Sequence, residues 1–349
     1  MNIERPDLSH VDSTIRAYIE ALEAELERLR ESDATADQLN AAAVPLEPSE
    51  PPTTLNVITV SVAGIAKRTP RHHYYRQRRG GMGVFDLETP ESDPPAFLTI
   101  ADESQSLLLI TNHARAFRVP ISELPESPLR SRGQLLTERL PFRPEERLAI
   151  ILPSQATGYV ALVTERGHVR RLRYHYLGEN LRPGALLFDI QELGAPATAC
   201  WTLGEAELFI ATRQGKAIRF AEQRVPHSGC LGIRLDRDDT VVAVASVQED
   251  SSVFLLSADG KGAIRLMAGF AANKAPGSGG KVALKTDHLI GAVTVVESDD
   301  IFIISRLGKI IRFQAGEVPA KEGVVQGVNC MALRADETTA LTASKIGQQ

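Results

Sequence analysis

Residues 300–313 read DIFIISRLGKIIRF. A run of apolar β-formers, Ile301 to Ile304, leads into Arg306-Leu307-Gly308, and a second apolar run leaves on Lys309 and Arg312. Glycine between two such runs supplies the positive φ of a tight hairpin. The same pattern recurs upstream: VITVSVAGIAKRT from Val57, SLLLITNHARAFRV from Ser106, GYVALVTERGHVRRL from Gly158, ELFIATRQGKAIRF from Glu207 and SSVFLLSADGKGAIRL from Ser251. The aligned turn positions are Gly64, Ala114, Gly167, Gly215, Gly260 and Gly308, spaced 50, 53, 48, 45 and 48 residues apart. Asn112-His113-Ala114 lacks the glycine and predicts a looser turn; the others predict two-residue loops. Alternation around each turn predicts one buried and one exposed face per hairpin. Each unit holds a further apolar strand in its second half, such as Thr240 to Val247 or Leu289 to Val296. A period near fifty with several short strands per unit describes radially arranged β-sheets, and six units close a ring without long free edges.

Composition limits what such a ring does. The 349-residue chain is 43% hydrophobic and 24% charged, as in ordinary soluble globular proteins. Cys200, Cys230 and Cys330 stand far apart, which excludes a disulfide framework and a cysteine zinc site and fits a reducing cytoplasm. No apolar run is long enough for a membrane helix. Aromatic residues make up 5%, too few for base stacking as the main binding device. The net charge of −5 is unevenly spread: residues 1–54 hold four Arg against twelve Asp/Glu, leaving 35 Lys+Arg against 32 Asp+Glu for the rest. Residues 51–85 contain no acid and six basic residues. Partner choice follows such local potential, not the whole-chain sum.

Residues 1–33 form a separate region. Ile15, Ile19, Leu22, Leu26 and Leu29 make a heptad seam, and Asp12 or Ser13 is placed to cap the helix. So short a helix needs a partner surface, either a second copy, giving a homodimer through residues 12–30, or another protein surface. Residues 34–54, rich in Ala, Pro and Glu, predict an extended linker before a repeat body at 55–345.

The repeats resemble the C-terminal domain of DNA gyrase A and its topoisomerase IV counterpart. Gln77-Arg78-Arg79-Gly80-Gly81-Met82-Gly83 is similar to the gyrase A box, family pattern QRRGGKG, with Met82 in place of lysine and one positive charge fewer. Gly64-Ile65-Ala66-Lys67-Arg68, Gly229-Cys230-Leu231-Gly232-Ile233-Arg234 and Gln326-Gly327-Val328 are supporting matches. The resemblance implies an all-β, six-bladed β-pinwheel with strands exchanged between blades, preceded here by a short helix. It implies a non-catalytic DNA-binding and DNA-wrapping module of the cytoplasm, associated with the nucleoid, with double-stranded DNA and a type II topoisomerase as partners. No cofactor, metal or membrane is implied. The cleavage region of gyrase A and its catalytic tyrosine have no counterpart; Tyr74 and Tyr75 sit beside the box. A protein-interaction propeller that has lost wrapping is the alternative, favoured by Met82 and the acidic balance.

A duplex bound without sequence reading asks for cations and free amides at a regular pitch. The candidates are Lys67, Arg68, Arg71 and Arg76; the box residues Gln77, Arg78, Arg79, Gly80, Gly81 and Gly83; Arg115 and Arg118; Arg170, Arg171 and Arg173; Lys216 and Arg219; Lys261 and Arg265; Lys274, Lys281 and Lys285; Lys309 and Arg312. Arg78 and Arg79 offer forked donors, and the box glycines allow close backbone approach. The competing reading of Lys or Arg after a hairpin is a solvated guard on a strand. Residues 273–285 (NKAPGSGGKVALK) are no Walker A, because Ala275 and Val282 stand where glycine and Ser/Thr are needed. They predict a loop carrying Lys274, Lys281 and Lys285 toward DNA. His72-His73 reads as polar loop, and Asp238-Asp239 and Asp299-Asp300 as turn residues.

Overall fold

A computed structural model describes residues 12, 14–16, 18–23 and 50–344. The chain divides into two compact units, Met1–Glu47 and Pro48–Gln349. In the first, residues 14–16 and 18–23 are helical. Thr14 N donates to the Asp12 carboxylate at 2.8 Å, the N-cap bond expected of that residue. Ile15 and Leu22 are exposed on this helix, while Leu26 and Leu29 of the seam lie outside the described residues.

The second unit is a ring of six antiparallel sheets, the blades. Their hairpins are Leu55–Ser61 with Ile65–Pro70, Ser106–Thr111 with Arg115–Pro120, Tyr159–Thr164 with His168–Arg173, Glu207–Thr212 with Lys216–Ala221, Ser252–Ser257 with Lys261–Leu266, and Asp300–Ser305 with Lys309–Gln314. On the inner side of each hairpin lies a strand from later in the same unit: Pro95–Asp102, Leu148–Pro153, Pro196–Thr202, Val241–Val247, Leu289–Val295 and Thr338–Ser344. These inner strands surround a central channel of about 660 Å³, lined by residues such as Ile151, Trp201 and Leu341.

The outer strand of each blade is borrowed. Gln134–Leu135, which follows the second hairpin in sequence, pairs with Ile65 and Ala66 of blade 1. Ala185–Leu186, Cys230–Leu231, Lys281–Val282 and Val328–Asn329 likewise complete blades 2 to 5. Val84–Phe85 of the first unit pairs with Lys309 and Ile310 and so completes blade 6. Every unit thus hands a strand to the blade before it, and the first unit closes the circle.

Two local expectations change. The hairpin loops have three residues, not two: Val60 pairs with Ala66 around Val62-Ala63-Gly64, and Gly64 N donates back to Ser61 O. Ala114 makes the same turn, at φ 55, so no looser turn forms there. A type I turn ending in a left-handed residue suits this loop length. The hairpins also have no exposed face along most of their length. Ser106–Thr111 is buried throughout, as is Ile301 to Ile304. Radial sheets are covered by a neighbour on each side, so odd and even residues feed different apolar clusters. Val57 packs with Phe302 between blades 1 and 6, while Ile58 packs with Leu107 between blades 1 and 2. Each such buried side chain contributes about 1.5–3 kcal/mol.

A repeated arginine fixes neighbouring blades together. Four residues after the left-handed turn residue stand Arg68, Arg118, Arg171, Arg219 and Arg312, with Ile264 in blade 5. Arg68 Nε donates to Leu124 O at 3.0 Å. Arg219 Nη1 donates to Met267 O at 2.6 Å and Phe270 O at 3.0 Å. Arg312 Nη1 donates to Tyr74 O at 2.9 Å and Arg71 O at 3.3 Å. In each case the acceptors belong to a 3₁₀ turn at the start of the next unit's excursion, the stretch between hairpin and inner strand (Ile121–Glu123, Met267–Gly269, Arg71–His73). The guanidinium adds donors to carbonyls at the ends of these turns, where Arg71 O and Met267 O also accept from the N–H that closes the turn. Arg171 instead faces Glu222, the first residue of such a turn, at 3.6 Å.

At the closing seam Arg312 is also paired with Asp300, which is fully buried and takes Arg76 Nε at 2.7 Å. Asp300 begins a strand; it is not a turn residue. Glu50, from the stretch read as linker, accepts from Arg71 Nε and Nη2, each at 2.8 Å, and from Arg312 Nη2 at 2.9 Å. Burial would push the Glu50 carboxyl up, but the hydrogen bonds and charges of Arg71 and Arg312 outweigh it and hold the carboxyl below its usual range.

Arg312→Met leaves the buried Asp300 carboxylate with Arg76 alone and removes the donor to the Arg71 and Tyr74 carbonyls, and is expected to cost about 3–5 kcal/mol in urea unfolding. Arg219→Met costs less, because the Glu249 side chain is 73% exposed and stays hydrated. A depressed carboxyl pKa contributes stability that is present above about pH 4.3 and is lost as pH falls through the folded value. Glu50→Gln is therefore less stable than wild type at neutral pH. The gap between their melting temperatures narrows as pH falls below about 4.3 and closes below the folded Glu50 value; a gap that does not narrow refutes the seam's dependence on Glu50.

Candidate nucleic-acid interface

The box lies in the excursion of the first unit, between the Arg71–His73 turn and the strand that completes blade 6. It is sewn to that blade. Gln77 N donates to Arg312 O at 2.7 Å, Gly80 N to Cys330 O at 2.9 Å and Ala332 N to Gly81 O at 2.9 Å. Arg79 Nε donates to Glu317 O at 3.0 Å and Nη1 to Asn329 O at 2.9 Å, while its backbone N meets the Glu317 carboxylate at 2.8 Å. Gly83, at φ 73, lies so close to Ile310 O that a Cβ would clash. Gln77 Oε1 accepts from Gly83 N at 3.3 Å. Arg78 is exposed and forms no ion pair among the described residues. Half the box is therefore ring closure, with one arginine left at the surface.

Beneath it is a buried polar cluster. Asp86, fully buried, holds Lys67 Nζ at 2.8 Å and accepts from Tyr74 OH and Thr59 Oγ1, each at 2.7 Å. Lys67 Nζ also donates to Pro128 O at 2.8 Å. Burial, followed by the Asp86 charge, raises the Tyr74 phenol well above its usual range. Lys67 is thus spent inside the protein.

The remaining candidates divide by accessibility. Arg68, Arg71, Arg115, Arg219, Arg265 and Arg312 are buried. Arg68 lies near Glu103 and Glu126, and Arg115 is paired with Glu146 at 2.5 Å. Arg76 is half-buried against Asp300. Arg118, Arg170 and Arg171 are half-buried; Arg170 donates to Leu187 O at 3.3 Å, and Arg171 lies over the Tyr159 ring at 5.2 Å. Arg173 and Lys285 are exposed. Lys216 pairs with Asp236, and Lys261 pairs with Asp259 at 2.7 Å, both at the surface. Lys309 lies 4.9 Å from the Phe85 ring centre, and Arg130 lies 5.4 Å from the same ring. Lys274 Nζ donates to Gly279 O at 2.5 Å, while Lys281 stands 4.1 Å from the Phe270 ring centre.

The structure adds cations that the repeat pattern did not single out. Arg132, Arg182, Arg224 and Lys321 are exposed, and each sits in an excursion that carries a borrowed outer strand. With Arg78 and Lys285, every one of the six excursions then presents an exposed cation. Their signal in sequence is weak, because excursions share neither length nor motif. The carboxylates Glu50, Asp86 and Asp300 were also missed as partners; each acts across a large sequence separation. His72 Nδ1 accepts from Thr53 N at 3.4 Å. Among the described residues, no helix is long and apolar enough to cross a membrane.

Comparison with known proteins places this architecture. A family described as DNA gyrase C-terminal domain, beta-propeller, matches residues 55–93, 105–150, 206–248 and 299–324. The DNA gyrase A of Mycolicibacterium smegmatis is 27% identical over 298 residues, covering 81% of this chain and 35% of the relative. The DNA gyrase A of Escherichia coli strain K12 is 28% identical over 297 residues, covering 80% and 33%. The chain spans about a third of the length of these curated relatives. A solved structure of a DNA gyrase A C-terminal domain superposes with a TM-score of 0.71 at 19% identity, covering 83% of this chain and 99% of that one. The C-terminal domain of DNA topoisomerase IV gives a TM-score of 0.59 at 20% identity, covering 83% and 93%. The match lies in the non-catalytic, C-terminal part of these enzymes. With six ordered repeats, a strand-exchanged ring and the box at its closure, the repeat body of this chain is similar to the C-terminal domain of DNA gyrase A and has the same β-pinwheel fold.

Proposed function

We propose that this protein binds duplex DNA without reading sequence and bends it around the ring, acting in DNA topology beside a type II topoisomerase. The observation that carries this reading is the exposed cation on every excursion, with Arg78 of the box among them. Phosphates recur regularly along a duplex, and cations repeated around a circumference neutralise them while the duplex curves. The repeat-strand cations Lys67, Arg219 and Arg312 hold blades together; the contacts to DNA fall to side chains such as Arg78, Arg132, Arg173, Arg182, Lys281 and Lys285. Bending by 40–90° costs about 1–6 kcal/mol, so contacts must spread over several blades. Flexible or supercoiled DNA is the preferred substrate, and association with the nucleoid follows. The exposed Ile15 and Leu22 support self-pairing of the N-terminal helix.

Binding to plasmid and linear duplex weakens steeply with salt in this reading, and a flat response rejects it. Arg78→Ala lowers affinity at low salt and reduces the slope of log K against log salt by about 0.9, without lowering the melting temperature. Arg79→Ala lowers the melting temperature as well, because its guanidinium bridges Glu317 and Asn329. Relaxation of plasmid by a nicking-closing enzyme with this protein present leaves a changed linking number. An unchanged linking number together with a stable protein partner favours the interaction-ring alternative.

A further inference from the structure

Two arginines from adjacent blades enter the seam between blades 4 and 5. Arg219 shares a strand face with Ala217, and Arg265 shares one with Ala263; both alanines belong to the apolar cluster between these blades. Their surroundings differ. Arg219 is neutralised by Glu207 and by Glu249 and has its carbonyl acceptors. Arg265 is only 3% exposed, and its Nε and Nη1 are buried with no hydrogen-bond partner. It arises from a register change: blade 5 carries Ile264 where the other blades carry the stapling arginine, so its arginine falls one residue later and faces blade 4.

More cations gather around it. Arg265 Cζ lies 5.7 Å from the Phe270 ring centre, and Lys281 Nζ lies 4.1 Å from the same point. Lys281 is half-buried and has one weak acceptor, Ala271 O at 3.4 Å. Burial, and then the charges of Lys274, Arg265 and Arg219, lower its pKa, so these groups feel one another. The acids paired here, Glu207 and Glu249, are both taken by Arg219. Among the described residues, this buried guanidinium has unused donors and the two lysines beside it have no carboxylate partner, an arrangement suited to a multiply charged acceptor.

The geometry points to a phosphate-group site in this seam, with Arg265 as the buried donor and Lys281 and Lys274 at its mouth. A phosphate oxyanion accepts charged hydrogen bonds from a guanidinium and balances more than one cation, which a single carboxylate does not. The group comes either from a duplex backbone, in which case the site is one contact of the DNA track proposed above, or from a free phosphate compound.

The test uses the full chain and inorganic phosphate. Titration calorimetry against chloride of equal ionic strength is expected to show saturable binding, with affinity about tenfold lower in Arg265→Gln and in Lys281→Gln, as expected for loss of a charged hydrogen bond. Lys281 is half-buried, so its variant keeps the test valid if Arg265→Gln fails to fold by circular dichroism. Phosphate that displaces a bound duplex from wild type, and less so from Lys281→Gln, identifies the backbone as the source. Saturable phosphate binding that leaves a bound duplex in place identifies a free compound. If wild type binds no duplex yet binds phosphate in an Arg265-dependent way, the DNA reading falls and the site stands. Phosphate that behaves as chloride, with duplex binding equal in wild type and both variants, overturns the site and leaves the DNA reading intact.

Discussion

The ring depends on borrowed strands. No unit carries its own outer strand, so a blade is complete only when the next unit has folded beside it, and blade 6 waits for Val84–Phe85 from the start of the body. The stapling arginine works at the same junction. It satisfies carbonyls of the next unit's 3₁₀ turn, the turn from which the chain sets out toward the preceding blade. Backbone closure and side-chain closure therefore reinforce one another at the seams of Arg68, Arg219 and Arg312. At the seam joining blades 6 and 1, two carboxylates, Glu50 and Asp300, balance Arg71, Arg76 and Arg312.

This changes the meaning of the basic residues in the repeats. A lysine or arginine that recurs every fifty residues invites reading as a repeated contact to a polyanion. In Arg219 and Arg312 the recurrence has another cause, since their seams present turn carbonyls to the same strand position, while Lys67, one position earlier in its strand, is held by Asp86 and Pro128 O. A charge taken out of water needs a partner, and these residues have theirs inside the protein. Surface charge instead follows the excursions, which vary in length and sequence because they have only to place two residues against a neighbour. The box joins both roles: Arg79 and its glycines fasten blade 6, and Arg78 stays in water.

Arg265 is instructive because it breaks the pattern. One extra residue between turn and arginine moves it to the opposite face of its strand, since side chains alternate with a period of two. That single shift sets two arginines in one seam and none from blade 5 in the next.

Period, apolar runs and turn glycines were enough to determine the six units, their hairpins and the closed ring, because these depend on neighbours in sequence: a left-handed turn residue flanked by β-formers makes a hairpin wherever it occurs. The box, too, was legible as a string. Tertiary structure alone decided that both hairpin faces are buried, that the outer strand belongs to the preceding blade, and which cations reach water. Those properties depend on Asp86 meeting Lys67, Glu50 meeting Arg312 and Glu249 meeting Arg219. Desolvation and ion pairing are set by what surrounds a side chain in space, and residues far apart in sequence supply that surrounding.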